Sequence, residues 1–362
     1  MQTSSTIDET SVKNALSQVM DPDLNRDIVS LGMVSQIEIK DTEISFTLTL
    51  TTPACPLKEK IESDCKNALK EMHPTIQTIN INTTAIVTNS PKINDKLHLP
   101  GIKNIIAVTS GKGGVGKTTT AINLAAALAS LGAKVGLLDS DITGPNTPIM
   151  LGVSDYKPQA VDNKIIPAEN YNVKCISMAF FVSKDTPVIW RGPMLDKAIR
   201  QFLTDVEWGE LDYLIIDMPP GTGDAQLTMI QATQLAGGVI VTTPQEVALL
   251  DGMKGLSMFK QMNVPVLGFI ENMSYFQPPN SSERFEIFGH GGGRKLAQQE
   301  GVPFLGEIPI ATELRQACDD GKPLVVTQPD NAVSIKFIEI AKNLAAQISI
   351  YALSQPSQEA LV

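Results

Sequence analysis

Cysteine is scarce in this chain: four residues among 362, at positions 55, 65, 175 and 318, with no two at C-x-x-C spacing. That is too few for a disulfide framework, and it offers no local pair of thiolates for a metal. Basic charge is also short, with 29 Lys and Arg against 39 Asp and Glu and a formal net charge of −10. An acidic total argues against non-specific nucleic-acid binding and against anionic membrane surfaces. No apolar run approaches the ~18 residues that span a bilayer. The start, Met1-Gln-Thr-Ser-Ser-Thr-Ile-Asp-Glu9, has neither a basic stretch nor an apolar core, so no signal peptide is expected. The last basic residue is Lys342, so the tail lacks the basic amphipathic helix of a membrane anchor. Internal repeats and low-complexity tracts are absent as well. A reduced, cytoplasmic setting follows as the expectation, with neither nucleic acid nor membrane as partner.

What is present begins at Gly111-Lys-Gly-Gly-Val-Gly-Lys-Thr118, which satisfies the phosphate-loop pattern G-x-x-x-x-G-K-[ST] without adjustment. Gly111, Gly113, Gly114 and Gly116 let the backbone, Val115 included, turn N–H groups toward an anion. Lys117 would reach the β- and γ-phosphates of ATP, the Thr118 hydroxyl would take a place on Mg²⁺, and Thr119 would join the nucleotide-binding residues. The context agrees. Asn104–Thr109 is a short β-branched apolar run, and Thr119 to Leu131 repeats Ile122, Ala125, Ala126 and Ala129 at helical spacing. The loop therefore joins a strand to a helix N-terminus, where the helix dipole favours phosphate.

Two units are expected. Residues 1–87 read as a small α+β domain. Val12, Ala15, Leu16 and Val19 mark one helix face, and alternating residues around Lys40–Glu43 mark a hairpin. Pro56 is read as the start of a second helix, and Ile79 and Ile81 as a last strand. Residues 88–103 lack periodicity and hold Pro91 and Pro100, which suggests a linker. From 104 to 352 strands and helices alternate, with strands expected at 104–109, 134–138, 172–177, 213–217, 238–242, 265–270 and 303–308. Their continuous apolar runs belong to parallel strands buried on both faces. The expected fold is α/β: a doubly wound, mostly parallel phosphate-loop NTPase sheet, followed by a short tail at 353–362.

Acidic residues complete the nucleotide chemistry. Asp217 closes the apolar run Tyr213–Asp217, the place of a Walker B carboxylate that holds Mg²⁺ directly or through water, and Gly221 to Asp224 would sense the γ-phosphate. Asp139 and Asp141 stand at the end of another strand; aspartates capping the next turn are the competing reading. Cys65 falls on a helix face and reads as core. Cys175 lies in an apolar strand, and Cys318 on a helix face suits packing. Cys55 precedes the expected helix start, where a thiol has a lowered pKa.

With those residues in view, the chain resembles two nested families. Lys112, a lysine early in the phosphate loop, resembles the deviant Walker A class that includes MinD and ParA. There, the extra lysine reaches across a homodimer interface to the partner's nucleotide. The resemblance implies that Lys112, Lys117 and Asp141 are catalytic, Asp141 acting on the attacking water, while Asp139 supports Mg²⁺. It places Asn272 where the class reads adenine, although a turn asparagine fits Ile270-Glu-Asn-Met as well.

Longer stretches resemble the Mrp (ApbC) group of iron–sulfur cluster carrier ATPases. They are Ser110–Thr118, Asp139–Asn146, Trp190–Pro193, Asp217–Asp224, Glu271–Phe276 and Ile287–Gly293. The front unit is similar to SufT-related domains through Asp21-Pro22, Ile28–Val34 and Thr51–Pro56. The resemblance implies an ATPase that carries clusters, [4Fe–4S] among them, to apo-proteins with the help of assembly proteins. Many members hold a cluster with a C-x-x-C pair after Glu-Asn-Met-Ser, but this chain has Gln277-Pro-Pro-Asn-Ser-Ser-Glu283 there. Cys55 is then the candidate cluster ligand, with Cys175 or Cys318 second. The alternatives are a MinD- or ParA-like positioning ATPase and a nucleotide-regulated, non-catalytic scaffold for cluster assembly.

Overall fold

The central sheet of the larger unit has eight strands. In spatial order they are Ala168–Asn170, Val173–Ser177, Val135–Asp139, Leu211–Asp217, Ile102–Thr109, Gly237–Thr242, Val266–Glu271 and Phe304–Glu307. Only the first pair is antiparallel; all the others run parallel. The computed structural model describes residues 7–90, 96–97, 99–141, 144–181 and 192–354. Two compact units emerge, one of residues 1–88 with 349–362 and one of residues 89–348.

Burial explains the apolar runs. Val135–Asp139 and Gly237–Thr242 are buried at every residue, as central strands covered on both faces must be. Helices Lys117–Ser130, Asp224–Ala232, Glu246–Gln261 and Gly292–Glu300 connect successive parallel strands. Leu138, Leu214, Ile216, Met229, Ile240, Phe259 and Phe269 share one core cluster. Each of the seven expected strands is present.

The edge hairpins were not expected. Ala168–Asn170 turns back through Tyr171 and Asn172, both at positive φ, and Ala160–Val161 pairs with Lys164–Ile165 through Asp162 and Asn163, also both positive. Two consecutive left-handed residues make the type I′ turn that suits a two-residue hairpin.

The expected linker 88–103 is corrected in part. The strand begins at Ile102, which is buried, and Leu99 is 5% exposed. The Ser90 hydroxyl donates to Asn104 Oδ1 at 2.6 Å, and Leu97 forms a bridge with Thr233. These residues therefore pack on the unit they precede. Residues 91–95 and 98, within the same expected linker, lie outside the described residues, as do Ile142, Thr143, Trp190, Arg191 and tail residues 355–362.

The small unit has the expected αββαβ pattern. Helices Glu9–Leu16 and Lys58–Met72 cover a sheet ordered Val34–Lys40, Glu43–Leu50, Thr78–Ala85. Asp8 and Ser11 cap the first helix reciprocally, each side chain taking the other's backbone N–H. Val12, Leu16, Phe46, Leu48, Ile61, Cys65 and Leu69 form the core.

Cys55 requires a correction. The second helix starts at Lys58, with Leu57 as its cap, so Pro56 and Cys55 stand outside its first turn. Burial raises the Cys55 thiol above its ordinary range, and the carboxylates of Asp21 and Asp23 raise it further. Hydrogen bonding from the backbone at Leu57 and Lys58 opposes this without reversing it. Cys65 is pushed to about 12 and Cys175, fully buried in its strand, is raised well above a free thiol. Cys318 is half-buried with its Sγ 3.9 Å from Thr119 Oγ1, and burial raises it too. At neutral pH the native protein is therefore expected to react with iodoacetamide more slowly than free cysteine at Cys55, and not at all at Cys65 and Cys175. Mass spectrometry of the labelled peptides checks this, and a Cys55 faster than free cysteine would contradict it.

Candidate active site

Sheet register builds the centre of the site. Asp217 pairs with Asp139 on one neighbouring strand and with Val108 on the other. The carboxyl ends of three adjacent parallel strands thus reach the same level, and the phosphate loop leaves from Ile102–Thr109, next to the strand that ends in Asp217. Ligands gather at such carboxyl ends in doubly wound sheets. The loop is tied down there: Gly221 N donates to Ser110 O at 2.9 Å, and the Ser110 hydroxyl donates to Lys112 O at 2.9 Å.

The helix Lys117–Ser130 that follows carries no side-chain cap, and Gly116 before it is left-handed at φ 80°. The first N–H groups of a helix have no acceptor within it. Here they open beside Gly113 and Gly114, which have free space where a side chain would stand. Gly111 is the opposite case: a Cβ there would come within 2.1 Å of the Asp251 backbone. An uncapped helix start under a glycine arch fits a polyphosphate.

Lys117 and Thr118 then converge on one carboxylate. Lys117 Nζ lies 2.6 Å from Asp217 Oδ1, the two side chains 6% and 1% exposed, and Thr118 Oγ1 donates to Asp217 Oδ2 at 2.7 Å. That hydroxyl–carboxylate separation is close to the ~2.9 Å between adjacent oxygens around Mg²⁺ at 2.0–2.1 Å. The donor set, all oxygen beside a phosphate loop, fits that ion.

Asp139 is fully buried. Its Oδ1 accepts from Asp141 N at 3.1 Å, and its Oδ2 accepts from the Ser177 hydroxyl at 2.9 Å and from Thr147 N at 3.3 Å. Burial pushes its pKa up to about 7, with the Asp217 charge adding to the rise, while Ser177, the Asp141 backbone and Lys117 oppose it. Burial raises Asp217 too, and Lys117 works against that rise. Two carboxylates beside one cation leave the pair short of positive charge.

The remaining sequence-derived residues surround this centre. Asp141 is 8% exposed, its Oδ1 accepting from Gly144 N at 3.2 Å. Lys112 and Thr119 are half-buried. Asn272, 4% exposed, donates one amide hydrogen to Val115 O at 2.8 Å, and a Cβ on Gly116 would meet its Nδ2 at 2.1 Å. Asn272 therefore braces the loop, keeping a second amide hydrogen and Oδ1 for other partners. Cys55 belongs to the other unit.

Three supporting residues escaped the sequence reading. Ser177 holds Asp139, the Ser140 hydroxyl donates to Asp217 O at 2.9 Å, and Gln226 Nε2 donates to the carbonyls of Pro219 and Pro220. Only Ser140 carried a signal, as the residue between the two aspartates.

Comparison with known proteins agrees with this fold. Residues 101–345 match the family model described as the NUBPL iron-transfer P-loop NTPase, and residues 9–81 match that of an iron-sulfur cluster assembly protein. An iron-sulfur cluster carrier protein of Synechocystis is 50% identical over 347 residues, covering 94% of this chain and 98% of that one. Its namesake from Deinococcus radiodurans is 47% identical, covering 94% and 96%. Among solved structures, a nucleotide-binding protein from Archaeoglobus fulgidus in complex with ADP matches with TM-score 0.58 and 39% identity, over 66% of this chain and 93% of its own. The cell division ATPase MinD of Pyrococcus furiosus matches with TM-score 0.50 and 26% identity, over 67% and 98%.

Two measurements probe the centre. Lys117→Ala removes a charge-assisted contact and should weaken ATP binding at least about tenfold by calorimetry. It also leaves Asp217 buried without its cation, so the free protein should lose about 3–5 kcal/mol of stability. Asp139 sets a pH dependence. Its folded pKa of about 7 exceeds the ordinary 3.8. Its contribution is therefore fully present below pH 3.8 and lost as pH rises through about 7. In urea unfolding, the wild type should lose stability relative to Asp139→Asn as pH climbs through that window; parallel curves would contradict it.

Proposed function

The chain belongs to the NUBPL iron-transfer P-loop NTPase family, and we propose that it is a homodimeric, Mg²⁺-dependent ATPase that carries iron–sulfur clusters to apo-proteins in the cytoplasm. The observation that carries the ATPase reading is the convergence of Lys117 and Thr118 on Asp217 beneath the glycine loop. With ATP bound, Lys117 would turn from Asp217 to the phosphates, and Thr118 and Asp217 would hold Mg²⁺. Asp139 would support the ion, Asp141 would orient the attacking water, and Asn272 would meet the purine with its unused amide hydrogen and oxygen. Hydrolysis then needs no covalent intermediate, only positioning and neutralised phosphate charge.

Lys112 stands half-buried on the same loop, and we assign it to the partner's nucleotide across the dimer. The cluster is cargo. The chain has no C-x-x-C pair and two of its four cysteines, Cys65 and Cys175, are buried, so a single chain presents no accessible set of four thiolates. Two copies would share them, with Cys55 as the first candidate. Metal binding drives off a thiol proton, so a raised Cys55 makes loading more favourable at higher pH.

Anaerobic reconstitution with iron and sulfide should yield a dimer that holds a cluster and passes it to an apo-protein when ATP is supplied. Lys117→Ala should lose that dependence. Transfer unaltered in a variant that binds but does not hydrolyse ATP would replace the carrier cycle with a nucleotide-regulated scaffold.

Composite sites test the dimer. Lys112→Ala should bind ATP yet lose hydrolysis, and so should Asp141→Asn. Mixing the two should restore activity, because one site of each mixed dimer keeps its own Asp141 and receives Lys112 from the opposite chain. No recovery at any ratio, with dimers present by light scattering, would place Lys112 in its own site.

A further inference from the structure

A second cluster of ligand-bearing side chains lies further along the same sheet edge. Glu271 ends the strand Val266–Glu271 and Glu307 ends the neighbouring strand Phe304–Glu307, and the register pairs the two directly. Paired residues on parallel strands turn toward the same face. The glycine-rich segment Ile287–Gly293 brings His290 over them. One ligand atom from each of Glu271, His290 and Glu307 lies within 4.8 Å of the other two.

Hydrogen bonding determines which imidazole nitrogen is available. The Ser274 hydroxyl has one hydrogen and gives it to Glu271 Oε1 at 2.5 Å. The 2.9 Å contact between Ser274 Oγ and His290 Nδ1 must therefore be Nδ1–H donating to the serine oxygen. A neutral His290 so held has its lone pair on Nε2, and Nε2 faces Glu307 Oε2 at 3.8 Å. A cation shared between these two atoms, a proton on Nε2 or a metal ion, would satisfy both. Atoms bound to one ion at ~2.0–2.2 Å lie up to ~4.4 Å apart, so 3.8 Å is within range.

Glu271 supports the same conclusion. It is 0% exposed, and no ion pair among the described residues neutralises it. Gly291 N at 2.9 Å and Ser274 take Oε1, and Gly293 N at 2.6 Å takes Oε2, which leaves a lone pair on Oε2. These donors are the outer contacts that orient ligands at metal sites. Tyr275 stacks edge-on against the His290 ring at 6.2 Å and limits its swing.

We propose that Glu271, His290 and Glu307 form a binding site for one divalent first-row transition ion, separate from the Mg²⁺ position at Asp217. One imidazole and two carboxylates suit iron(II) or zinc(II) and are poor for soft thiophilic ions. The proposal does not depend on the cluster-carrier reading. Ser274 is a positioning residue, fixing the tautomer that presents Nε2.

The test uses full-length, metal-stripped protein with Mg²⁺ and ADP in excess, so that the phosphate-loop carboxylates are occupied. Zinc(II), and iron(II) under anaerobic conditions, are titrated by calorimetry, and cobalt(II) serves as the spectroscopic probe. The wild type should bind one ion per chain, and its cobalt form should show ligand-field bands without thiolate charge transfer. His290→Ala and Glu307→Gln, both at positions reached by solvent, should each weaken binding at least about tenfold, with Ser274→Ala falling between them and the wild type. Undiminished binding in His290→Ala and Glu307→Gln, folded by circular dichroism, would overturn the proposal. So would a thiolate spectrum, or no saturable site in the wild type at micromolar metal.

Discussion

A lysine and a carboxylate, both nearly fully buried and 2.6 Å apart, are the constraint around which the larger unit is arranged. Removing two charges from water costs several kcal/mol for each ion, and only close pairing recovers it. Lys117 and Asp217 come from a helix start and a strand end a hundred positions apart in the chain. Their meeting depends on the strand Leu211–Asp217 lying beside Ile102–Thr109 in the observed register. Everything near them answers the same charge. Thr118 takes the other carboxylate oxygen, Ser140 takes the Asp217 backbone, and Asp139 is pushed up by burial beside a like charge.

Such an arrangement is suited to exchange of partners. A buried pair is a poor source of net stability, because its attraction is largely offset by lost hydration. In the proposed cycle phosphate replaces Asp217 on Lys117, and Mg²⁺ replaces Lys117 on Asp217, so neither charge is left alone. The glycines that border the pair make room for this. Gly111 admits the Asp251 backbone and Gly116 admits the Asn272 amide, while Gly113 and Gly114 leave open space between. A side chain at either of the first two would displace the loop. The brace from Asn272 to Val115 also joins the loop to the strand end that carries Glu271, so the two candidate ion sites sit on one rigid edge.

Much of the fold was legible because its signals are local. Continuous apolar runs marked the strands Leu211–Asp217 and Gly237–Thr242, and alanine-rich spacing marked the helix after the phosphate loop. The edge hairpins were missed because Tyr171 is an unusual residue at positive φ, and only the pairing of Ala168–Asn170 with Val173–Ser177 requires it there. Cys55 was misjudged for a related reason. Proximity to a helix start is readable from Pro56, whereas the burial that raises the thiol, and the nearness of Asp21 and Asp23, come from contacts across the unit.

By itself the sequence determined the chemistry on offer: a phosphate loop, aspartates at strand ends, an extra loop lysine and no paired cysteines. Spacing within a few residues is enough for such motifs, since each is read within one turn, one strand end or one loop. Tertiary structure alone decided the distances. It set Asp217 level with Asp139, gave Ser177 and Gln226 their supporting contacts, and brought His290 over Glu271 and Glu307. No periodicity encodes those meetings, because parallel strands pair across long crossovers and the packing of the whole sheet selects their register.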